Sequence, residues 1–188
     1  MKRAFILGSF LLFSAAWIQA QTGPDWIRYR SAEGKYSVLL PNEPKIAQQP
    51  AVDSGGNSYI QYKASSFEGA SLFMVGYYDH DKSTKFSFSK ARDGIVSGIK
   101  GKLISDDTIS LDGSPARQLK FSAALDGIDY LIRARLYSAH ERIYVVQYIY
   151  LRADEGAVID TKATRFFDSF RIGHLDPGTQ KLVPPNDQ

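Results

Sequence analysis

The segment Arg142–Leu151 constrains the fold more than any other part of the sequence, because both faces of this predicted strand are mostly apolar. One face carries Tyr144, Val146, Tyr148 and Tyr150, and the other carries Ile143, Val145, Ile149 and Leu151. Successive side chains of a strand point to opposite sides of a sheet, and a strand with one wet side alternates apolar and polar residues. This strand must therefore lie in a sheet that is covered on both sides.

Further β-rich runs surround this segment. Ser58–Ser65 and Ser71–Tyr78 form one hairpin candidate, and residues 102–151 form a meander whose turns contain Asp112-Gly113 and Asp126-Gly127. Short loops of this kind force successive strands to be antiparallel neighbours. An earlier strand ends at Pro41, because proline removes the amide donor that strand pairing needs. The sequence thus predicts an antiparallel sheet of about six strands.

Two amphipathic helices are available to cover that sheet. Apolar residues recur at helical spacing from Phe88 to Ile99, and again in a final helix from about Asp154 to Phe170. With one helix for each face, we expect an α+β fold in which the sheet is sandwiched between helices, an α/β/α sandwich.

The N-terminal residues 1–20 have the pattern of a secretory signal peptide. Lys2 and Arg3 precede an apolar stretch that is too short to span a bilayer, and small residues follow it. We expect cleavage after Ala20, with cleavage after Ala16 as the alternative. Residues 21–172 would then be a single domain, and the polar residues 173–188 a disordered tail. The predicted location is the periplasm or the extracellular medium.

Composition excludes several kinds of site. The chain has no cysteine, which excludes disulfides, zinc–thiolate centres and thiol nucleophiles. The formal net charge is +3, and loss of Lys2 and Arg3 with the leader lowers it by two, to about +1. Basic and acidic residues are interspersed, which predicts no nucleic-acid partner. No later segment is long and apolar enough to predict an integral membrane span after signal cleavage.

The order of elements resembles a known family. The early strand Tyr36–Leu40 runs into Pro41 and Pro44, a central helix and a meander follow, and the last helix ends in the aromatic run 166–170. This pattern, over roughly residues 26–172, resembles the PsbP-like superfamily, which includes an extrinsic protein of photosystem II, a Ran-binding nuclear import factor and uncharacterised bacterial exported proteins. The resemblance implies a non-enzymatic accessory or binding role, and it supplies no catalytic residues.

Two groups of residues are candidate sites. Asp79, His80 and Asp81 could bind a divalent metal ion, since imidazole and carboxylate groups are ordinary ligands. The alternative is a solvated loop, because adjacent side chains of an extended chain diverge.

Candidate ligand-binding residues are Arg133 and Arg135, which share one face of a strand, together with Tyr77 and Tyr78. The alternative for the arginines is that their stems cover apolar surface while their charged groups stay in water.

The sequence favours an exported, non-enzymatic accessory or binding protein of the bacterial envelope. Its partner would be an unknown protein or small ligand, and no cofactor is expected. The alternative is a metal-dependent, hydrolase-type enzyme centred on Asp79, His80 and Asp81.

Export can be tested by expressing the full chain in a bacterial host and measuring the mass of the secreted or periplasmic protein. We expect an N-terminus at Gln21, because signal peptidase cuts after a small residue such as Ala20. A start at Trp17 would support the alternative cleavage. A double variant, Lys2→Glu with Arg3→Glu, should be exported poorly, and an intact Met1 in a membrane-bound product would contradict the prediction.

Overall fold

A computed structural model gives the fold and describes residues 25–52, 58–80, 86–139, 141–175 and 182–183. The predicted signal peptide lies outside the described residues. The strands are β1 (Ile27–Ser31), β2 (Tyr36–Leu40), β3 (Lys45–Val52), β4 (Ser58–Glu68), β5 (Ser71–Asp79), β6 (Lys102–Leu111), β7 (Ser114–Leu125), β8 (Ile128–Ala139), β9 (Arg142–Leu151), β10 (Arg171–Ile172), β11 (His174–Leu175) and β12 (Leu182–Val183). The helices are α1 (Phe88–Gly98) and α2 (Ala157–Phe167), with a 3₁₀ turn at Arg152–Asp154.

The main sheet is antiparallel and, within the described residues, contains seven strands in the order β3-β4-β5-β9-β8-β7-β6. Neighbouring strands in this order follow one another along the chain, except where β5 pairs with β9. The central position belongs to β9, the strand whose two apolar faces demand cover on both sides. Its residues Ile143 and Tyr144, which point to opposite faces, are 0% and 2% exposed.

Two hairpins of the main sheet depend on Asp-Gly turns. Asp112 and Gly113 have φ of 49° and 80°, and Asp126 and Gly127 have φ of 50° and 77°. Positive φ at both central residues is the type I′ geometry, whose twist matches that of the flanking strands. These turns therefore fix the registers of β6 with β7 and of β7 with β8.

One face of the main sheet packs against a second sheet and α2. The second sheet has the order β1-β2-β10. Its Tyr36 is 1% exposed, and its ring lies 6.1 Å from that of Tyr77, 6.2 Å from that of Tyr144 and 5.7 Å from that of Phe170. Gly34, just before β2, has no room for a side chain, because a Cβ atom there would lie 2.6 Å from the Tyr36 ring. The Tyr144 hydroxyl also donates a hydrogen bond to the Gly34 carbonyl, at 2.9 Å.

The opposite face packs against α1 over only part of its width. Phe88, Ala91 and Ile95 of this helix contact a smaller core that includes Phe121 and Ile132. None of the residues of α1 is fully buried. Ser87 caps the helix, since its hydroxyl accepts a hydrogen bond from the Lys90 amide.

The predicted α/β/α sandwich is wrong. The described chain is mostly antiparallel sheet, and β1, β2 and β10 fill much of the space that the prediction gave to a helix alone. A helix of 11 residues is about 16 Å long. Seven strands spaced by about 4.8 Å are roughly 29 Å wide, so one such helix cannot cover a whole face.

The sequence did not predict β3, because its residues show no regular alternation of apolar and polar side chains. This strand lies at an edge of the main sheet and is almost wholly exposed, so no apolar alternation marks it. Pro50 lies within it, which an edge strand can tolerate because one of its sides needs no amide donors.

The last helix begins later than its periodicity predicts. Gly156 stands at its N-cap, and the 3₁₀ turn precedes it. The predicted apolar face is nevertheless buried, through Ile159, Ala163, Phe166 and Phe167. In the C-terminal segment, β11 pairs with β12, and residues 176–181 and 184–188 lie outside the described residues. Among the described residues, no helix has the length and apolar character needed to cross a bilayer.

An ion-pair network attaches α1 to the edge strand β6. Asp106 of β6 accepts hydrogen bonds from Arg117 of β7, at 2.7 Å, and from Arg92 of α1, at 2.6 Å. The bond from Arg117 lowers the pKa of Asp106; burial opposes this effect, and Arg92 reinforces it. The neighbouring Asp107 is exposed and points to the other face of the strand.

Phe73 tests the importance of the aromatic core. Its side chain is fully buried, and its ring contacts Trp26, Tyr148 and Phe166. Phe73→Ala should lower the free energy of unfolding by about 3–5 kcal/mol, measured by chemical denaturation, because it leaves a cavity. Phe67→Ala is the matched control, since Phe67 is 53% exposed, and it should cost less than about 1 kcal/mol. Equal losses of unfolding free energy in Phe73→Ala and Phe67→Ala would contradict the importance of Phe73 in the aromatic core.

The Asp106 network predicts a pH dependence of stability. A folded-state pKa below the ordinary value of 3.8 means that the charged carboxylate contributes stability above that value. The contribution is lost as the pH falls through the lowered folded-state pKa. The stability difference between wild type and Asp106→Asn should therefore be constant near neutral pH and shrink below about pH 4. Asp107→Asn is the control, and an equal pH-dependent difference in that variant would contradict the assignment.

Candidate functional site

A cleft of about 380 Å³ lies between α2 and strands β6 to β8. The sheet contributes Gln118, Lys120, Arg133 and Arg135 to its lining, and α2 with its C-cap contributes Ala163, Thr164, Phe167 and Asp168. Its volume is in the range of small-molecule sites, at about 300–1,000 Å³.

The Asp126-Gly127 turn explains why the polar side chains of the cleft converge. Counting back from this two-residue turn pairs Lys120 with Arg133 and Gln118 with Arg135, which are the observed partners. Directly paired residues of antiparallel strands point to the same face, so four polar side chains share the α2 side of the sheet.

Each basic side chain of the cleft reaches an acidic one on or beside α2. Nη2 of Arg133 lies 2.6 Å from Oδ1 of Asp160, and Nη1 of Arg135 lies 3.1 Å from Oδ1 of Asp168. Lys120 forms an ion pair with Glu155, which precedes the helix. Three ion pairs therefore line the junction between the sheet and α2.

Neutral groups fix the two guanidinium groups as well. Nε of Arg133 donates to the buried Tyr150 hydroxyl at 3.0 Å, and Nε of Arg135 donates to Oε1 of Gln118 at 3.0 Å. The Arg135 guanidinium also lies over the Phe167 ring, 5.0 Å from its centre. Burial lowers the pKa of Arg133, but the bonds to Asp160 and Tyr150 outweigh this effect and raise the pKa above its ordinary value. The hydrogen bonds therefore hold both guanidinium groups in defined orientations.

The two predicted tyrosines lie away from this cleft and on opposite faces of β5. Tyr77 is 4% exposed and stacks on Tyr62, with 4.9 Å between the ring centres. Burial raises its pKa. Tyr78 lies on the α1 side, where its ring is 4.5 Å from that of Tyr59. The structure thus brings Arg133 and Arg135 together and separates both tyrosines from them.

The Asp79 carboxylate is hydrogen-bonded to an arginine. Arg142 donates to both carboxylate oxygens, from Nε at 2.6 Å and from Nη2 at 2.9 Å. This bond lowers the pKa of Asp79, although partial burial opposes it. The same guanidinium lies 4.6 Å from the centre of the Tyr77 ring and donates to the Glu33 carbonyl. Asp79 therefore helps to hold the turn before β2 against the main sheet.

Of the other two candidate metal ligands, only His80 lies within the described residues. The His80 amide donates to the Glu141 carbonyl at 2.8 Å, and its ring lies 6.0 Å from that of Phe86. Asp81 lies outside the described residues. In the described part of the chain, no group of three or more histidine or carboxylate side chains is arranged to hold a metal ion.

Sequence reasoning identified Arg133 and Arg135 but missed the rest of the cleft. Lys120 and Gln118 could have been found by counting strand positions from the Asp126-Gly127 turn. The contributions of Phe167 and Asp168 had no such signal, because the docking of α2 on the sheet depends on contacts distant in sequence.

The chain matches no protein-family model and no curated protein sequence. Among solved structures, it is similar to cyanobacterial PsbP (CyanoP) from Synechocystis sp. PCC 6803, with a TM-score of 0.57 and 12% sequence identity over 81% of this chain and 95% of that one.

Two other similar structures have lower TM-scores. A protein of unknown function from Pseudomonas aeruginosa has a TM-score of 0.42 and 14% identity, covering 85% of this chain and 97% of its own. A protein from Bacteroides thetaiotaomicron has a TM-score of 0.47 and 10% identity, covering 83% of this chain and 50% of its own.

The similarity to the cyanobacterial protein extends over nearly all of that protein and agrees with the resemblance seen in the sequence, although the identity is low enough that it concerns the fold alone. The chain has a PsbP-like fold.

Proposed function

We propose that this chain is an exported, non-enzymatic binding protein that holds a small ligand in the cleft between α2 and strands β6 to β8. The observation that carries the proposal is the convergence of Gln118, Lys120, Arg133 and Arg135 on one cleft of suitable size. The exported location rests on the signal-like residues 1–20.

The chemistry of the cleft suits binding. Its two guanidinium groups are hydrogen-bond donors fixed by neighbouring side chains, and Phe167 is among the residues that form its wall. Sites for small molecules commonly combine apolar walls with a few oriented polar groups. Because these side chains are already ordered by their mutual bonds, a ligand would lose little free energy in ordering them.

The alternative of a metal-dependent enzyme at Asp79, His80 and Asp81 has weaker support. Both oxygens of Asp79 already accept hydrogen bonds from Arg142, so a metal ion would have to displace a charge-assisted pair. The resemblance to PsbP-like proteins also favours an accessory or binding role over catalysis.

Binding can be tested with the purified full chain and a panel of small carboxylates, phosphates, sugars and amino acids. A ligand at about 100 times its Kd should stabilise the native state by about 2.7 kcal/mol and raise the melting temperature by roughly 5–10 °C. NMR spectra of the ligand after incubation should be unchanged, since no reaction is proposed.

Two variants of α2 locate the binding site. Thr164 is exposed and lines the cleft, so Thr164→Trp should block it and abolish the thermal shift. Thr161 is also exposed on the same helix but is not among the residues that line the cleft, so Thr161→Trp should keep the shift. A shift that survives Thr164→Trp, or a panel without any shift, would refute the proposal.

A further inference from the structure

Each arginine of the cleft has one terminal nitrogen outside the hydrogen bonds described above. The hydrogen bonds described above use Nε and Nη2 of Arg133, and Nε and Nη1 of Arg135. Nη1 of Arg133 and Nη2 of Arg135 take part in none of these bonds, although the Arg135 side chain also interacts with the buried Tyr137 hydroxyl. Each such nitrogen carries two N–H groups, and the residues are about 7 Å apart along one face of β8. The cleft therefore offers two neighbouring sets of cationic donors.

Charge is distributed unevenly between the cleft and its rim. The side chains of Arg133 and Arg135 are 23% and 22% exposed, whereas those of their partners Asp160 and Asp168 are both 60% exposed. Water screens an exposed carboxylate strongly, and exposed ion pairs contribute little to stability. The negative rim consequently only partly offsets the positive charge inside the cleft.

Given that the cleft is the binding site proposed above, these features favour one chemical class of ligand. We infer that the ligand carries an oxyanion, either a carboxylate or a phosphate, which accepts hydrogen bonds from Nη1 of Arg133 and Nη2 of Arg135. Guanidinium groups match both anions in geometry, and charge-assisted bonds of this kind are stronger than neutral ones. The volume of about 380 Å³ limits the ligand to a small molecule.

The inference can be tested by NMR titration of the 15N-labelled full chain, following the arginine Nε–Hε signals. The probes are glutarate and glycerol 3-phosphate, and their neutral counterparts are glutaramide and glycerol. At least one anionic probe should give a saturable shift of the Arg133 and Arg135 signals, with a Kd below about 1 mM, and the neutral counterparts should give none. The anionic probe whose titration reaches saturation shows whether the cleft binds a carboxylate or a phosphate.

Four variants separate ligand binding from structural roles. Arg133→Gln and Arg135→Gln should each weaken binding at least about tenfold, because each removes a charged donor. Asp160→Asn breaks the same ion pair as Arg133→Gln but keeps the guanidinium, so it should retain or strengthen binding. Arg117→Gln removes a positive charge from the opposite face of β7 and should leave the affinity unchanged.

Several results would overturn the inference. These are an absence of saturation with both anions, equal binding of a neutral counterpart, or equal weakening by Asp160→Asn and Arg133→Gln. A neutral compound that loses binding in Thr164→Trp and keeps it in the arginine variants would overturn the oxyanion inference, while the cleft would remain a binding site. If no compound binds in the cleft at all, the proposed function fails as well.

Discussion

The fold depends on a layer of aromatic rings packed between its two sheets. Among the described residues, the small sheet shares no strand pairing with the main sheet. Side chains such as Tyr36, which contacts rings from β5, β9 and the segment after α2, attach it. Aromatic pairs contribute through their large buried area and through preferred ring geometries. Because α2 docks on the same layer through Phe166 and Phe167, the position of the cleft follows from this packing.

Local signals in the sequence predicted the strands of the main sheet well, but they predicted poorly the elements that pack on its two faces. The two-sided apolar pattern of β9 placed this strand correctly inside the sheet, and the Asp-Gly turns predicted two hairpins. The expected sandwich failed because β1, β2 and β10 form a second sheet over one face. Of these strands, β10 has only two residues, and its pairing with β2 joins segments far apart in the chain. Neither a short strand nor a distant contact leaves a periodic pattern. The polar edge strand β3 was missed because the sheet buries almost none of it.

The same distinction between local patterns and contacts distant in sequence applies to the candidate site. Arg133 and Arg135 were predictable as neighbours because residues two apart on a strand share a face. Their acidic partners on α2 were not, since nothing local fixes how a helix crosses a sheet. Asp79 shows the opposite outcome: its place beside His80 and Asp81 suggested a metal ligand, whereas pairing with β9 places it opposite Arg142. The role of a carboxylate on a strand thus depends on the residue paired with it across the sheet, which its sequence neighbours do not reveal.

The two edges of the main sheet have a consequence for how copies of the chain meet. An unprotected edge offers unpaired amides and carbonyls to any other strand, which is a route to aggregation. Here β3 carries Lys45 and Pro50, and β6 begins with Lys102 and contains a register shift between Leu103 and Ser105. A charge, a missing donor and a bulge each interrupt the regular ladder that a second copy would need. The sheet can therefore be wide and rich in apolar strands while both of its edge strands carry features that interrupt edge-to-edge pairing.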